Sequence, residues 1–408
     1  MDAQKLFIDK EDKYLYLERY VNNGSPSGFH LRTTSFKTNP ATGDERFPLL
    51  EFSDADIECI HLGNKHELFE RGVNYAHPDS SNSSILEKAG RTLLESNLVV
   101  SPTSGGRTML IRPPSVEGFV KLTYDVARIG RVDRQLTLKH CLTCLEVTKS
   151  MKKCIDDGKL PTTFSLLLEE SSKVTVLKME DGVYEWGVIY REAKPYPYSI
   201  KNAVLIPGFS LFGKDSHSTN DELLINQLIE LSNSNPRVYL VNLLKLITDC
   251  YWGVVLNCAF HLELHAQNCL FEVDDKYNIV RMVVRDMDSV DKDIPLAKHF
   301  GFKHDWESYP IMCFDESIYF YPIRASYMYD FKLGQYLFSP LINVVAAKYN
   351  LDIREIEKEI REYVQLNYTR KMPPNYFPSD GCWYDCDNTE RKPGEKRKYF
   401  AHESPKFR

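Results

Sequence analysis

The longest apolar run in the chain, VYLVNLLKLITDCYWGVVLNCAF, extends from Val238 to Phe260, and its only charges are Lys245 and Asp249. A helix that is apolar on nearly all sides must be surrounded by protein or by lipid. The two internal charges favour protein, so the run predicts a core helix around which other layers pack. The next eight residues, HLELHAQN, carry His261, Glu263, His265, Gln267 and Asn268. An apolar core has no use for so many polar side chains. A site that holds a charged ligand does. CLFEV and IVRMVV follow as two short strands separated by DDKYN, and Arg285-Asp286 comes directly after them. Pairing these strands antiparallel returns Asp286 to the neighbourhood of Asn268.

Composition narrows the class of protein. The 408 residues, 43% hydrophobic and 26% charged, suffice for two or three lobes. A net charge of −6, from 51 Lys+Arg against 57 Asp+Glu, argues against nucleic acid or a membrane surface as partner. The opening MDAQKLFIDKEDKYLYLERY has no apolar stretch for a signal peptide, and ten cysteines without such a signal read as reduced thiols in a cytoplasmic protein. HCLTC (His140, Cys141, Cys144) and CWYDC (Cys382, Cys386) lack the paired halves of a zinc site, so structural cysteines and no zinc are expected.

Along the chain, a helix is expected over Ser84–Ser96, followed by the loop SPTSGGRT. GFVKLTYDV alternates, placing Lys121 opposite Val120 and Leu122. Asp181-Gly182 marks a hairpin whose second strand ends at Arg191. Ile353, Ile356, Ile360 and Val364 form a helical core stripe, and the basic tail from Arg391 to Arg408 reads as a solvated extension.

Asn268 and Asp286 at the mouth of a hairpin suit Mg²⁺, a hard cation that takes oxygen ligands, with Glu263 as a further ligand. His265 and Gln267 can hydrogen-bond phosphates. Arg107, Lys121, Arg134 and Arg191 supply the positive charge a triphosphate requires. The TSGGRT loop adds backbone N–H groups and hydroxyls. Taken singly, Arg107 is a loop arginine, Lys121 an exposed strand lysine and His261 a satisfied core histidine. Only together do these residues indicate nucleotide chemistry.

The ordered set PTSGGRT, ELHAQN and RDMDS resembles the siderophore synthetases that work without nonribosomal peptide synthetases, the IucA/IucC-like (NIS synthetase) family. Weaker echoes are YAHPDS, VKLTYDVARIGRVDRQL, LLLEE and VIYRE. In this chain Asp79-Ser80 replaces the family's Trp-Gln, and Ser289 replaces a final Gly. The resemblance implies an α/β (α+β) fold of fingers and palm, with mixed and antiparallel sheets flanked by helices, usually as a homodimer. It divides the chain into a reduced N-terminal thumb (1–75), fingers (76–170), palm (171–390) and tail (391–408). The implied activity is adenylation of citrate or a similar acid by ATP, followed by transfer to an amine or alcohol. Ser104, Arg107, Thr108, Lys121, Arg134, His265, Gln267 and Asn268 would hold ATP. Asp286 would hold Mg²⁺ with Asn268 and Glu263. Arg107, Lys121, His265 and Arg191 would act at the reacting centre. HLELHAQN also resembles the catalytic segment of aminoglycoside- and choline-type kinases, which implies γ-phosphoryl transfer with Glu263 as base. A degenerate ATP-binding protein is the third reading.

Overall fold

The computed structural model describes residues 2–8, 10–23, 37–40, 44–114, 116–129, 132–198, 200–218, 222–303, 321–378, 381–385, 399–401 and 404–408. The expected core helix is Pro236–Cys258, with Pro236 at its first turn and the Asn235 side chain accepting from the Val238 amide at 3.2 Å. It is long and apolar enough to cross a bilayer, but 67% of its apolar window is buried inside the fold. Trp252, Leu244, Ile247 and Val255 are fully enclosed.

The chain forms two main sheets, and the smaller packs directly on this helix. The larger is built from β1 (Phe47–Ser53), β2 (Glu58–Gly63), β3 (Val73–Ala76), β4 (Leu94–Pro102), β5 (Thr108–Ile111) and β6 (Gly118–Leu122) with a later hairpin. A small ribbon of β7 (Tyr124–Ile129) and β8 (Val132–Arg134) intervenes, then β9 (Phe164–Leu167), and the hairpin is β10 (Ser171–Met179) with β11 (Gly182–Glu192). The order β2-β10-β11-β6-β5-β4-β1-β3 is antiparallel throughout. Strands from the first 75 residues thus lie in the same sheet as β4–β6.

The smaller sheet joins β9 to β12 (Pro195–Tyr196), β13 (Val204–Pro207), β15 (Cys269–Val273) and β16 (Ile279–Val284), while the short β14 (Phe260–His261) pairs separately with Asp291–Lys292. Its order is β12-β9-β16-β15-β13, mixed because β9 and β16 run parallel. The fold is therefore mixed α/β, with an antiparallel and a mixed sheet flanked by helices.

The anticipated hairpins form. Met179 pairs with Gly182 across the Glu180-Asp181 turn, where Gly182 has φ +148°. Cys269 pairs with Val284, and the Arg285 amide donates to Asn268 O at 3.1 Å. The hairpin therefore closes directly beneath the two polar clusters.

Three expectations are corrected. The Ser84–Ser96 helix stops at Lys88, because Gly90 turns left-handed at φ +67° and the Arg91 amide caps Leu86 O, releasing the chain into β4. Ile353 lies at the exposed first position of the helix Ile353–Asn367, so the buried stripe is Ile356, Ile360 and Val364. The end of the basic tail is packed rather than solvated. Phe407 is 2% exposed and the Arg408 Nε lies 2.7 Å from the Asp330 Oδ2. Residues 386–398, including Cys386 and most of the tail's charges, lie outside the described residues.

Candidate active site

Pairing across the larger sheet sets the site. Thr108 on β5 lies opposite Lys121 on β6, which lies opposite Ile189 on β11. Side chains of paired residues share a face, as do residues two apart on one strand. Thr108, Lys121 and Arg191 therefore face one side, while Val120, Leu122 and Val188 pack on the other. Lys121 is 1% exposed, so it is no ordinary surface lysine.

Facing it, the end of β16 turns sharply. Asp286 sits in the left-handed region at φ +78°, a conformation that Asp tolerates better than most residues, and starts the 3₁₀ turn Met287–Ser289. This turn presents two carboxylates. The Lys121 ammonium pairs with Asp286 and lies 2.5 Å from the Asp288 Oδ1. The Arg191 guanidinium bridges Asp286 at 2.9 Å and Glu169 at 2.5 Å. The Arg107 guanidinium reaches the Asp288 Oδ2 at 3.2 Å. Burial alone would raise the Asp286 carboxyl, but Lys121, Arg191 and Arg107 outweigh it and hold the group far below the usual carboxylate range. Burial opposes the charge on Lys121 and Arg191, yet the facing carboxylates raise both.

A second network fastens the TSGGRT loop. Glu18, on the helix Lys10–Tyr20, is fully buried. Its carboxylate accepts from the Ser104 amide at 3.1 Å, the Ser104 hydroxyl at 2.6 Å, the Tyr14 hydroxyl at 2.8 Å and the Arg285 guanidinium at 2.5 Å. Arg285 also donates to Gln267 O at 2.8 Å, so one carboxylate joins the loop, the HAQN segment and the Arg-Asp pair. Burial would raise Glu18, but the attraction and hydrogen bond of Arg285 bring it below its ordinary value. The His77 Nδ1 accepts from the Asp79 amide at 3.2 Å, which leaves Nε2 to donate to Gly106 O at 2.9 Å.

The HLELHAQN residues divide by role. His261 is a core group held by Tyr251 and Tyr376 at 2.7 Å and Asp293 at 2.9 Å. Glu263 lies 2.6 Å from Lys332 and 3.8 Å from His265. Lys332 comes from a π-helical segment, Tyr327–Phe338. Burial raises Glu263, but Lys332 and His265 outweigh it and keep it below the ordinary glutamate value. The His265 Nδ1 accepts from the Gln267 amide, and burial lowers its ring to about 4, so the ring is neutral at pH 7.

The Asn268 side-chain Nδ2 donates to Glu263 O at 3.2 Å and to the Ser289 Oγ at 3.4 Å, and the Ser289 hydroxyl donates to Asp286 O at 2.7 Å. Asn268 Oδ1 and Asp286 Oδ2 accept no hydrogen bond among the described residues, and both are oxygen donors of the kind a hard cation takes. Among the described residues no three His, Cys, Asp or Glu side chains gather into a metal site, so Mg²⁺ here would complete its shell with phosphate or water oxygens.

Of the residues singled out from sequence, Arg107, Lys121, Arg191 and Asp286 form one ion-pair network. Ser104 and Gln267 join the Glu18 network. Glu263, His265 and Asn268 adjoin Asp286 through Ser289 and the hairpin. Arg134 ends β8, and its side chain lies outside the described residues. Glu18, Glu169, Asp288 and Lys332 were not found from sequence. Asp288, two residues beyond Asp286, carried a local signal. Glu169 lies in LLLEE, one of the weaker echoes, while Glu18 and Lys332 lie far from the motifs in the chain.

The fold is similar to that of solved siderophore-biosynthesis proteins. The petrobactin biosynthesis protein AsbB from Bacillus anthracis str. Sterne superposes with TM-score 0.66 at 15% identity, over 87% of this chain and 67% of that one. Aerobactin synthetase IucA from a hypervirulent pathotype of Klebsiella pneumoniae superposes with TM-score 0.66 at 11% identity, over 99% and 83%. Its ATP-bound form superposes with TM-score 0.60 at 12% identity, over 88% and 76%. The chain thus spans about two thirds of the length of AsbB. No family model matches the sequence, and no curated protein matches it.

Proposed function

We propose that the protein is an ATP-dependent ligase that adenylates a carboxylic acid and passes the acyl group to an amine or alcohol. The observation that carries the reading is the convergence of Arg107, Lys121 and Arg191 on the turn bearing Asp286, on a fold whose solved relatives include an ATP-bound synthetase. In this reading the region 76–170 acts as fingers and 171–390 as palm, in a cytoplasmic enzyme.

The substrate carboxylate would attack the α-phosphorus of ATP, pyrophosphate would leave, and the nucleophile would then displace AMP. Arg107 and Lys121 would exchange their internal carboxylates for phosphate oxygens. Thr108, Gln267 and Arg134 would border the nucleotide. Ser104 would hold the loop through Glu18. Arg191 would remain on Glu169 and face the developing charge. His265, neutral with its proton on Nε2, would donate a hydrogen bond from that atom to a ligand oxygen. Asp286 and Asn268 would hold Mg²⁺, which when bound neutralises phosphate charge. Glu263, lowered by its cationic neighbours and paired to Lys332, is a weak base. That speaks against kinase chemistry through this residue.

The test is to incubate the protein with ATP, a panel of di- and tricarboxylic acids, and hydroxylamine as trap. Hydroxamate with AMP and pyrophosphate is the expected result. ADP with a phosphorylated alcohol and no AMP would overturn the reading.

A further inference from the structure

Away from this cleft, two cysteines meet where two helices cross. Cys154 lies in the last turn of the helix Leu138–Asp156 and is half-buried. Cys258 is the final residue of the core helix and is 3% exposed. Their sulfurs are 3.4 Å apart, with the Cys258 thiol directed at the Cys154 sulfur. The two residues are 104 positions apart in sequence, so the long-range packing of the helices creates this contact.

The neighbourhood favours a thiolate on one side only. The Cys258 hydrogen bond, followed by Lys159 and Lys153 against the opposing effects of burial and Asp157, brings the Cys154 thiol to about 7. Among the described cysteines with a shifted thiol, the others all move upward, Cys258 among them. Cys154 is thus a reachable nucleophile with a resolving thiol in contact behind it, which is the arrangement that stops oxidation at a disulfide.

We infer that Cys154 and Cys258 form a reversible dithiol–disulfide site, oxidised by hydrogen peroxide. The Cys154 thiolate attacks one peroxide oxygen, the O–O bond breaks, and hydroxide leaves, giving a sulfenic acid at Cys154. The Cys258 sulfur then attacks the Cys154 sulfur, the S–S bond forms, the S–O bond breaks, and water leaves with the Cys258 proton. Two thiols and one peroxide become one disulfide and two waters, with two electrons passing from sulfur to peroxide. A small-molecule thiol reverses the reaction by exchange. The bond would fasten the helix that packs on the Met287–Ser289 turn to the helix that runs into HLELHAQN.

The inference does not depend on the ligase reading and is tested on the full chain without substrate. The reduced protein is treated with stoichiometric hydrogen peroxide, alkylated, digested without reductant and analysed by mass spectrometry. A Cys154–Cys258 linked peptide, two hydrogens lighter than the sum of its parts and released by dithiothreitol, is expected. In Cys258→Ser the linked peptide should vanish and dimedone should trap Cys154 as its sulfenic acid. In the untreated protein the rate of Cys154 alkylation should rise with pH around a midpoint below that of an ordinary thiol. Equal alkylation of both cysteines before and after peroxide would overturn the site. So would over-oxidation of Cys154 in the unsubstituted protein without a linked peptide.

Discussion

Glu18→Ala should destabilise the protein far more than an average substitution, because of what it leaves behind. Arg285 is 5% exposed, and its charge is balanced by the fully buried Glu18. Removing one partner of a buried pair leaves an uncompensated charge, at a cost of about 3–5 kcal/mol. Glu18→Gln keeps the shape and one carbonyl acceptor but loses the charge, so it should cost roughly 1.5–3 kcal/mol. Tyr14→Phe removes a hydroxyl that donates to the Glu18 carboxylate and accepts from the Arg285 guanidinium, both at 2.8 Å, and should cost about 1.5–3 kcal/mol. Urea unfolding followed by fluorescence would order the three by midpoint at constant slope. Replacing both charges, in Glu18→Ala with Arg285→Met, should recover a large part of the single-variant loss, since the penalty is one unpaired ion. The sign of the pH effect follows from Glu18 lying below its ordinary value when folded. Its contribution is complete above the usual glutamate range, about 4.3, and is lost as pH falls through the lower folded value. The gap between the original protein and Glu18→Gln should therefore close in acid. Strictly additive single and double variants, or a gap that stays constant into acid, would refute the reasoning.

Other expectations concern the cleft. Arg107→Ala should weaken ATP binding by roughly 2–3 kcal/mol in calorimetry, the worth of a charge-assisted contact; unchanged affinity would remove Arg107 from the nucleotide site. Asp286→Ala should abolish the rise in melting temperature given by Mg²⁺ with ATP, because only a ligand bound to the folded state stabilises it; an undiminished rise would sink the assignment. Glu263→Gln should reduce turnover only modestly, in part reversibly at higher Mg²⁺, whereas near-complete loss would point to a catalytic base. The folded-state ring of His265 is lowered to about 4, below the ordinary histidine range near 6.5. Its contribution, on the order of 3 kcal/mol, is present above about 6.5 and lost as pH falls toward 4. His265→Gln should flatten the stability profile between these limits, as read by urea midpoints.

What sequence could reveal divides by range. The Asn268–Asp286 approach was legible because a single short hairpin makes it, and the Lys121 face was legible because strand alternation is local. The Ser84–Ser96 helix was misread because Gly90 is compatible with a helix interior on paper and becomes a stop only when its backbone turns left-handed. Glu18 could not be found at all. It sits among charged residues on a short helix, and its role arises from contacts to Ser104 and Arg285, 86 and 267 residues away. Arg408 was read as solvated because a basic tail carries no sign of the buried Asp330 that receives it.

The two networks behind the TSGGRT loop carry four cations, Arg107, Lys121, Arg191 and Arg285, against four carboxylates, Glu18, Glu169, Asp286 and Asp288. Such a cleft behaves as a loaded ion exchanger rather than an open electrostatic trap. An incoming polyanion gains its cations only by evicting carboxylates that already hold them, and each evicted carboxylate then needs a counterion of its own. A divalent cation arriving with the anion supplies it, so anion and cation should enter together or scarcely at all. Uptake of phosphate compounds should then depend more steeply on divalent cation concentration than on the number of positive side chains.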